Sequence, residues 1–333
     1  MNTQRAQLIQ AWLEAVLRSD QFEINYLAGD ASFRRYARVT QNNKSFMLMD
    51  APPEQEDCVP FVSIDEFLDQ KGVRVPHIVA KDLALGFLLL EDFGDVMLSH
   101  LLTTDTVDEY YTQAFNQLIQ LQNIDGGQQL PIYSYEKLIS EMELLTQWFF
   151  PSLNIDLAQN EQAVVQKTFE ILAANAVQQP QVIVHRDFHS RNLMQLKNEK
   201  QLGIIDFQDA VIGADTYDLI SITRDAYVQW EPTQVEAWFK EFYALLPPQK
   251  DRTFEQFKRD ADFMAMQRHI KILGIFVRLF ERDGKDGYLK DLPRVMWYVL
   301  NQAKDYTELQ PFIEFMQARV MPNFTQKYGS YAV

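Results

Sequence analysis

Three oxygen-bearing side chains stand at an ordered spacing in the middle of the chain: Asp187, Asn192 five residues later, and Asp206 nineteen residues beyond Asp187. The first two lie in VIVHRDFHSRNLM (182–194), with the spacing H-R-D-x-x-x-x-N, and the third opens DFQDAVIGADTYDLIS (206–221). A carboxylate can receive the proton of an attacking hydroxyl. Two further oxygen ligands can hold Mg2+, a hard cation, against a chain of phosphates. Phosphoryl transfer asks these parts of a protein. Taken singly, Asp187 and Asp206 also suit turns and caps; the ordered set is what points to chemistry.

Elements must bring these residues together. The β-like run VIVH (182–185) leads into the loop, and LGIID (202–206) carries Asp206. A loop that leaves one strand and returns as another presents Asp187 and Asn192 on one side, and the next strand brings Asp206 beside them. Upstream, residues 3–18 read as an amphipathic helix, with Leu8, Trp12, Ala15 and Val16 near helical spacing. Three strand-like pieces follow, FEINYL (22–27), FRRYARV (33–39) and SFMLMD (45–50), joined by short linkers that suit antiparallel turns. Residues 57–70 read as a helix and LALGFLLLE (83–91) as a buried strand. Beyond Gly94, helical periods run over 106–123, 134–149, 158–175, 232–246, 254–282 and 288–304. The expected architecture is α+β and bilobal: a small sheet-rich lobe over 1–91, a joint at 92–95 and a larger helical lobe over 96–333.

Composition narrows the partners. The 333 residues carry 31 Lys and Arg against 46 Asp and Glu, a formal charge of −15. That disfavours duplex nucleic acid and anionic membrane surfaces, where basic side chains must neutralise phosphate. It leaves a nucleotide open, because a bound divalent cation reverses the local field. Cys58 is the only cysteine, so no intrachain disulfide forms, which fits a reducing compartment. The N-terminus lacks the layout of a signal peptide, and the longest apolar run is far too short to span a bilayer. A cytoplasmic protein acting on small molecules, without nucleic acid or membrane partners, is expected, with a monomer as the simplest state.

On H185-R-D187-x-x-x-x-N192, D206-F207 and G213-x-x-x-x-D218-L219, with His189 two residues after Asp187, the chain resembles the aminoglycoside phosphotransferase and choline kinase-like superfamily. The resemblance implies a protein-kinase-like fold, ATP as co-substrate and Mg2+ as cofactor. It implies Asp187 as catalytic base and Asn192 and Asp206 as metal ligands. A second D-F-G, in EDFGD (91–95), precedes the catalytic loop and falls at the joint, so it reads as a hinge. There the backbone of Glu91 through Phe93 is placed to bond the adenine edge, and Gly94 to let the lobes rock. A second metal site at Asp92 is the rival reading.

The small lobe departs from the superfamily. Where a phosphate-holding Lys is expected on the third strand, SFMLMD offers Met47 and Met49. The phosphate loop LAGDASFRRY (27–36) has one glycine, Gly29. Backbone N–H groups of Gly29 through Phe33, Ser32 among them, are expected to cradle phosphate, with Arg34 or Arg35 supplying the charge. Strand alternation allows only one of the pair to do so.

Within the superfamily the chain resembles the bacterial anomeric kinases of N-acetylmuramate and N-acetylglucosamine, on GDASFRRY (29–36), MDAPPEQEDC (49–58), HRDFHSRNLM (185–194), DFQDAVIGADTYDL (206–219) and QRHIKILGIFVRL (267–279). That implies transfer from ATP to the C1 hydroxyl, giving the α-1-phosphate, in cell-wall recycling. Muramate carries a lactyl carboxylate, which calls for a cation. Arg268 and His269 are the expected contacts, and Asp209 is a candidate for sugar hydroxyls. Asp218 reads as a cap for a helix starting near Leu219. An aminoglycoside or amino-alcohol kinase is the alternative in the same class. A nucleotide-binding pseudokinase or scaffold is the alternative outside it, and the missing strand lysine is its only support.

Overall fold

The computed structural model describes residues 3–27, 34–126, 130–197, 199–248 and 252–331. The fold is bilobal, with a small antiparallel sheet at the N-terminus and a larger, mainly helical lobe. The chain divides into two compact units, residues 1–97 with 193–208, and residues 98–192 with 209–333. The hairpin that follows the catalytic loop therefore groups with the smaller unit, whereas the sequence placed it in the larger one.

In the smaller unit, helix α1 (Thr3–Leu17) precedes strands β1 (Glu23–Tyr26), β2 (Arg35–Gln41) and β3 (Lys44–Asp50), then helix α2 (Val59–Gln70) and strands β4 (Ile78–Asp82) and β5 (Phe87–Glu91). The five strands form one antiparallel sheet in the order β1-β2-β3-β5-β4. Asn42 and Asn43 sit at φ +48° and +63° between β2 and β3, the conformation of a two-residue hairpin turn that asparagine tolerates. One face of the sheet packs on α1: Ala37, Val39, Leu48, Phe87 and Leu89 bury against Ile9 and Leu13. Strand β5 is central, and Phe87 through Leu90 are buried, as its unbroken apolar run predicts. It is shorter than LALGFLLLE suggested. Gly86, at φ +70°, turns the chain where a Cβ would lie 1.8 Å from the Ala51 carbonyl oxygen. The paired strands β7 (Leu193–Gln195) and β8 (Leu202–Ile204) complete this unit.

The larger unit holds α3 (Val107–Gln122), α4 (Tyr135–Met142), α5 (Phe150–Ser152), α6 (Gln159–Gln178), the strand pair β6 (Gln181–Val184) and β9 (Val211–Ala214), and α7 (Tyr217–Thr223). It continues with α8 (Pro232–Leu245), α9 (Phe254–Asp283), α10 (Leu292–Asn301), α11 (Gln310–Phe315) and α12 (Met321–Tyr328). Helix α9, 30 residues and about 45 Å long, is its axis. Thr253 caps its start, accepting from the Gln256 N–H, and Gly284 at φ +69° ends it. Most of its residues from Asp260 to Val277 are buried. Gly274 lets it lie directly on the Leu144 backbone, where a Cβ would meet main-chain atoms at 2.4 Å. No helix among the described residues is long and apolar enough to cross a membrane.

Candidate active site

The catalytic loop leaves β6 and is held in shape by buried acids from elsewhere in the larger unit. Asp218, in the first turn of α7, accepts from the backbone N–H of His185 at 2.6 Å and of Arg186 at 3.0 Å. It braces the loop rather than capping its own helix, which corrects the reading from sequence. Burial pushes its carboxyl up to about 7, against the pull of those two N–H groups. Asp225 accepts from the Ser190 N–H at 3.0 Å and the Ser190 hydroxyl at 2.6 Å, and through its other oxygen from the Tyr227 N–H. Arg186 sits at φ +76°, a backbone state costing about 1–3 kcal/mol that persists only where surroundings enforce it. Its guanidinium donates to Glu141, which also accepts from the Tyr133 hydroxyl and pairs with Lys271 at 3.2 Å. His185 is buried and its Nδ1 accepts from the Asp187 N–H. His185 and Arg186 thus shape the loop.

Asp187 itself is half-buried. Burial raises its carboxyl, but the positive charges of Lys271, His189, Arg268 and His185 outweigh that and hold it below the usual carboxylate range. It is ionised at neutral pH. Asn192 donates from Nδ2 to the Asp187 carbonyl at 3.0 Å, which fixes the amide and assigns Oδ1 as its acceptor end. Both side chains are thus set by one loop of the larger unit.

Asp206 belongs to the smaller unit and follows β8. It has φ +67°, its side chain is exposed, and Oδ1 accepts from Gln208 Nε2 at 2.7 Å. Among the described residues no group of three or more His, Cys, Asp or Glu gathers as a ready-made metal cage. Mg2+ takes one or two protein oxygens together with phosphate oxygens and water. An Asn amide oxygen and an exposed carboxylate are suitable donors.

The remaining face of the N-terminal sheet carries arginines beside the methionines that stand in the lysine's place. Across β2 and β3, Tyr36 pairs with Met49 and Arg38 with Met47, so these side chains share the face turned away from α1. Arg34 precedes them in the same alternation. Its guanidinium donates to Glu56 at 2.7 Å and lies 5.6 Å from the centre of the Phe61 ring. Burial lowers its proton affinity, but Tyr36, Glu56 and Asp206 act on it to raise the net value. Arg35 points to the α1 face and donates to the fully buried Asp50, which Arg5 of α1 also binds at 2.6 Å. Of the two arginines, only Arg34 is on the side of Asp206. Gly29, Ser32 and Phe33 lie outside the described residues.

At the joint, Asp92 accepts from Arg38 Nε at 2.6 Å and from the Gly94 N–H at 2.9 Å, so the second D-F-G serves an ion pair. Glu91 is held by Arg74, and its N–H donates to the His77 carbonyl. Its N–H is therefore engaged, which leaves its carbonyl for the expected backbone contact at Glu91. The Phe93 ring lies on Gly203, where a Cβ would meet it at 2.5 Å, and beneath the Arg74 guanidinium at 4.7 Å. Gly94 has φ +79° with open space where a Cβ would be.

The acceptor-side expectations divide. Arg268 is 3% exposed, and its Nε and Nη1 have no hydrogen-bond partner among the described residues. His269 is fully buried. Its Nε2 lies 3.0 Å from the Arg224 carbonyl, its Nδ1 3.0 Å from Gln302 Nε2, and its ring stacks on Tyr298. Burial drops its proton affinity to about 3. Both ring nitrogens are occupied, so a substrate contact there is not what the geometry offers; His269 anchors α9. Asp209 is exposed, with its carbonyl 3.5 Å from Arg186 Nη1. The residues that sequence reasoning missed are Glu141, Asp225 and the bracing role of Asp218.

Comparison with known proteins agrees with this geometry. The profile of the phosphotransferase enzyme family matches residues 23–252. An N-acetylmuramate/N-acetylglucosamine kinase of Pseudomonas putida is 38% identical over 334 residues, covering 94% of this chain and 97% of the relative. The kinase of the same name from Pseudomonas aeruginosa is 40% identical, covering 87% and 86%, and that of Neisseria meningitidis serogroup B is 34% identical, covering 92% and 94%. Among solved structures, a putative aminoglycoside phosphotransferase from Ralstonia eutropha superposes with a TM-score of 0.63 at 12% identity, covering 90% of this chain and 97% of that one. A choline/ethanolamine kinase family protein from Mesorhizobium loti gives 0.62 at 14% identity, covering 93% and 98%. With its catalytic loop, its two lobes and a profile match over most of its length, the chain belongs to the phosphotransferase enzyme family, in the aminoglycoside phosphotransferase and choline kinase-like superfamily.

Proposed function

We propose that this phosphotransferase moves the γ-phosphoryl group of ATP to the anomeric hydroxyl of N-acetylmuramate and N-acetylglucosamine, giving the α-1-phosphate and ADP, a reaction that serves reuse of cell-wall sugars. Asp187 receives the C1 hydroxyl proton as the O1–Pγ bond forms and the bond from Pγ to the β,γ-bridging oxygen breaks. An anomeric hydroxyl is more acidic than an ordinary alcohol, so a weak carboxylate base that takes the proton late is sufficient. Asn192 and Asp206 would hold Mg2+, which would supply neutralisation of phosphate charge. Arg34, steadied by Glu56, supplies the charge that a strand lysine supplies elsewhere in the superfamily. The loop at Gly29, Ser32 and Phe33 contacts phosphate, the backbone of Glu91 through Phe93 the adenine edge, and Asp209 and Arg268 the sugar.

The observation that carries the reading is Arg268, a buried guanidinium with unmatched donors, within electrostatic reach of Asp187. Buried polar groups are nearly always matched, so its two nitrogens call for a ligand's oxygens. The surrounding cations oppose an aminoglycoside or choline-like acceptor. The ionised Asp187 and the ordered loop oppose a scaffold without catalysis. The names of the curated relatives supply the sugar. The test is ADP release from Mg-ATP with N-acetylmuramate, N-acetylglucosamine, glucose, kanamycin and choline. Turnover confined to the two amino sugars is expected; turnover of kanamycin or choline alone overturns the assignment.

A further inference from the structure

The charges of the larger unit do not all cancel near the catalytic loop. Glu141 takes Arg186 and Lys271, and Arg268 acts on both Asp187 and Asp218. Arg191, between Asp187 and Asn192, is different. Its guanidinium carbon lies 3.5 Å from the centre of the Tyr227 ring, and a guanidinium held over an aromatic face keeps its in-plane N–H groups for other partners. It is half-buried and donates no hydrogen bond to any described residue. The acid that feels it, Asp291, is itself bonded by Arg294 at 3.0 Å.

Arg191 is also held still. Ser190 on one side is fixed by Asp225, and its carbonyl accepts from the Ser99 N–H. Asn192 on the other side is fixed to the Asp187 carbonyl. The platform beneath is packed too: the Tyr227 ring stacks on Phe276, which tilts against Tyr288, and His189 meets Tyr227 edge-on at 5.2 Å. Arg268 reaches the same ring electrostatically. A stationary guanidinium with an unmatched donor edge, four residues from the base, is pre-organised for a planar anion carried by the acceptor.

We infer that Arg191, stacked on Tyr227, is the specificity residue that reads a carboxylate on the acceptor sugar. In N-acetylmuramate the lactyl ether is two ring positions from the reacting carbon, so an acid there and the C1 hydroxyl present themselves to one short loop. Arg268, already the inner counter-charge of Asp187, serves what both sugars share. The inference rests on the proposed acceptors.

The test compares kcat/KM for N-acetylmuramate and for N-acetylglucosamine in wild type, Arg191→Met, Arg191→Lys and Arg268→Met. Losing a charge-assisted hydrogen bond costs roughly ten- to hundredfold. The ratio of the two constants is expected to fall by about that factor in Arg191→Met, to fall less in Arg191→Lys, and to hold in Arg268→Met. General damage to the loop lowers both sugars together and leaves the ratio in place, so an unmoved ratio in Arg191→Met overturns the inference. So does a ratio that moves in Arg268→Met alone. If wild type turns over neither sugar, the proposed function fails with it, and that arm is read separately.

Discussion

The catalytic loop of the larger unit and the open sheet face of the smaller one solve the same problem, placing charge, by opposite means. The loop is fixed by buried acids: Asp218 and Asp225 each accept two donors from its residues, three of the four from backbone N–H groups. The sheet face relies on half-exposed arginine pairs, Arg34 with Glu56, Arg38 with Asp92 and Arg74 with Glu91. Buried brackets are costly to break because they leave orphaned groups. The sheet-face pairs keep some exposure, between 3% and 35% of each side chain, and so sit between that case and a surface pair. Asp187 thus sits in a loop bracketed by buried acids, while the sheet-face pairs keep some exposure.

Substitutions can break or sharpen that contrast. The largest effect is expected at Asp187→Asn: turnover should fall 10²- to 10⁴-fold, about 3–5 kcal/mol of barrier, with ATP binding retained by calorimetry. Near-normal turnover would refute its role as base. Asp218→Ala strands the N–H groups of His185 and Arg186, at roughly 1–3 kcal/mol each, and urea unfolding should show the loss. A variant as stable as wild type would mean the bracket is not structural. Arg34→Met should weaken ATP roughly ten- to hundredfold while weakening AMP far less. Arg35→Met should act mainly on stability, since Asp50 retains Arg5 alone. An equal loss of ATP affinity in both would contradict the assignment by strand face.

A pH-dependent effect tests burial without any bracket. Asp65, on α2, is 1% exposed with Oδ2 unmatched, and burial, aided by Asp69 and Glu66, pushes its carboxyl up to about 8. The folded chain therefore holds a proton that the unfolded chain releases near 4. The stability from this proton is full below about 4 and is lost as pH rises toward 8. Thermal melts of Asp65→Asn should match wild type near pH 4 and exceed it increasingly up to pH 8; a pH-independent difference would count against it. Arg38→Ala is expected to cost about 1–3 kcal/mol by the same urea assay, because the Asp92 side chain, 3% exposed, loses its guanidinium.

The same contrast explains what could be read from the sequence. Asp187, Asn192 and Asp206 stood out because three oxygen-bearing side chains fall in order along one short stretch. The buried brackets were not, since Glu141 lies 45 residues from Arg186, Asp218 33 from His185 and Asp225 35 from Ser190. Helix α9 announced itself by its long period, whereas α7 is buried on every side and shows none. Strand β9 carries Gly213 in a four-residue run, and β4 is short and pairs on one side only, so neither stood out. Pro311, Pro322 and a π-helical turn at 316–320 break the C-terminal helical run that reasoning from period passed over. Arg34 and Arg35 could not be separated until strand register assigned each to a face.

Transfer to the anomeric oxygen can be read from phosphorus-detected NMR of the product. With N-acetylglucosamine and Mg-ATP, the new phosphorus signal should couple to the single anomeric proton, and the sugar should cease to mutarotate. Coupling to the two C6 protons, with the reducing end still free, would contradict it.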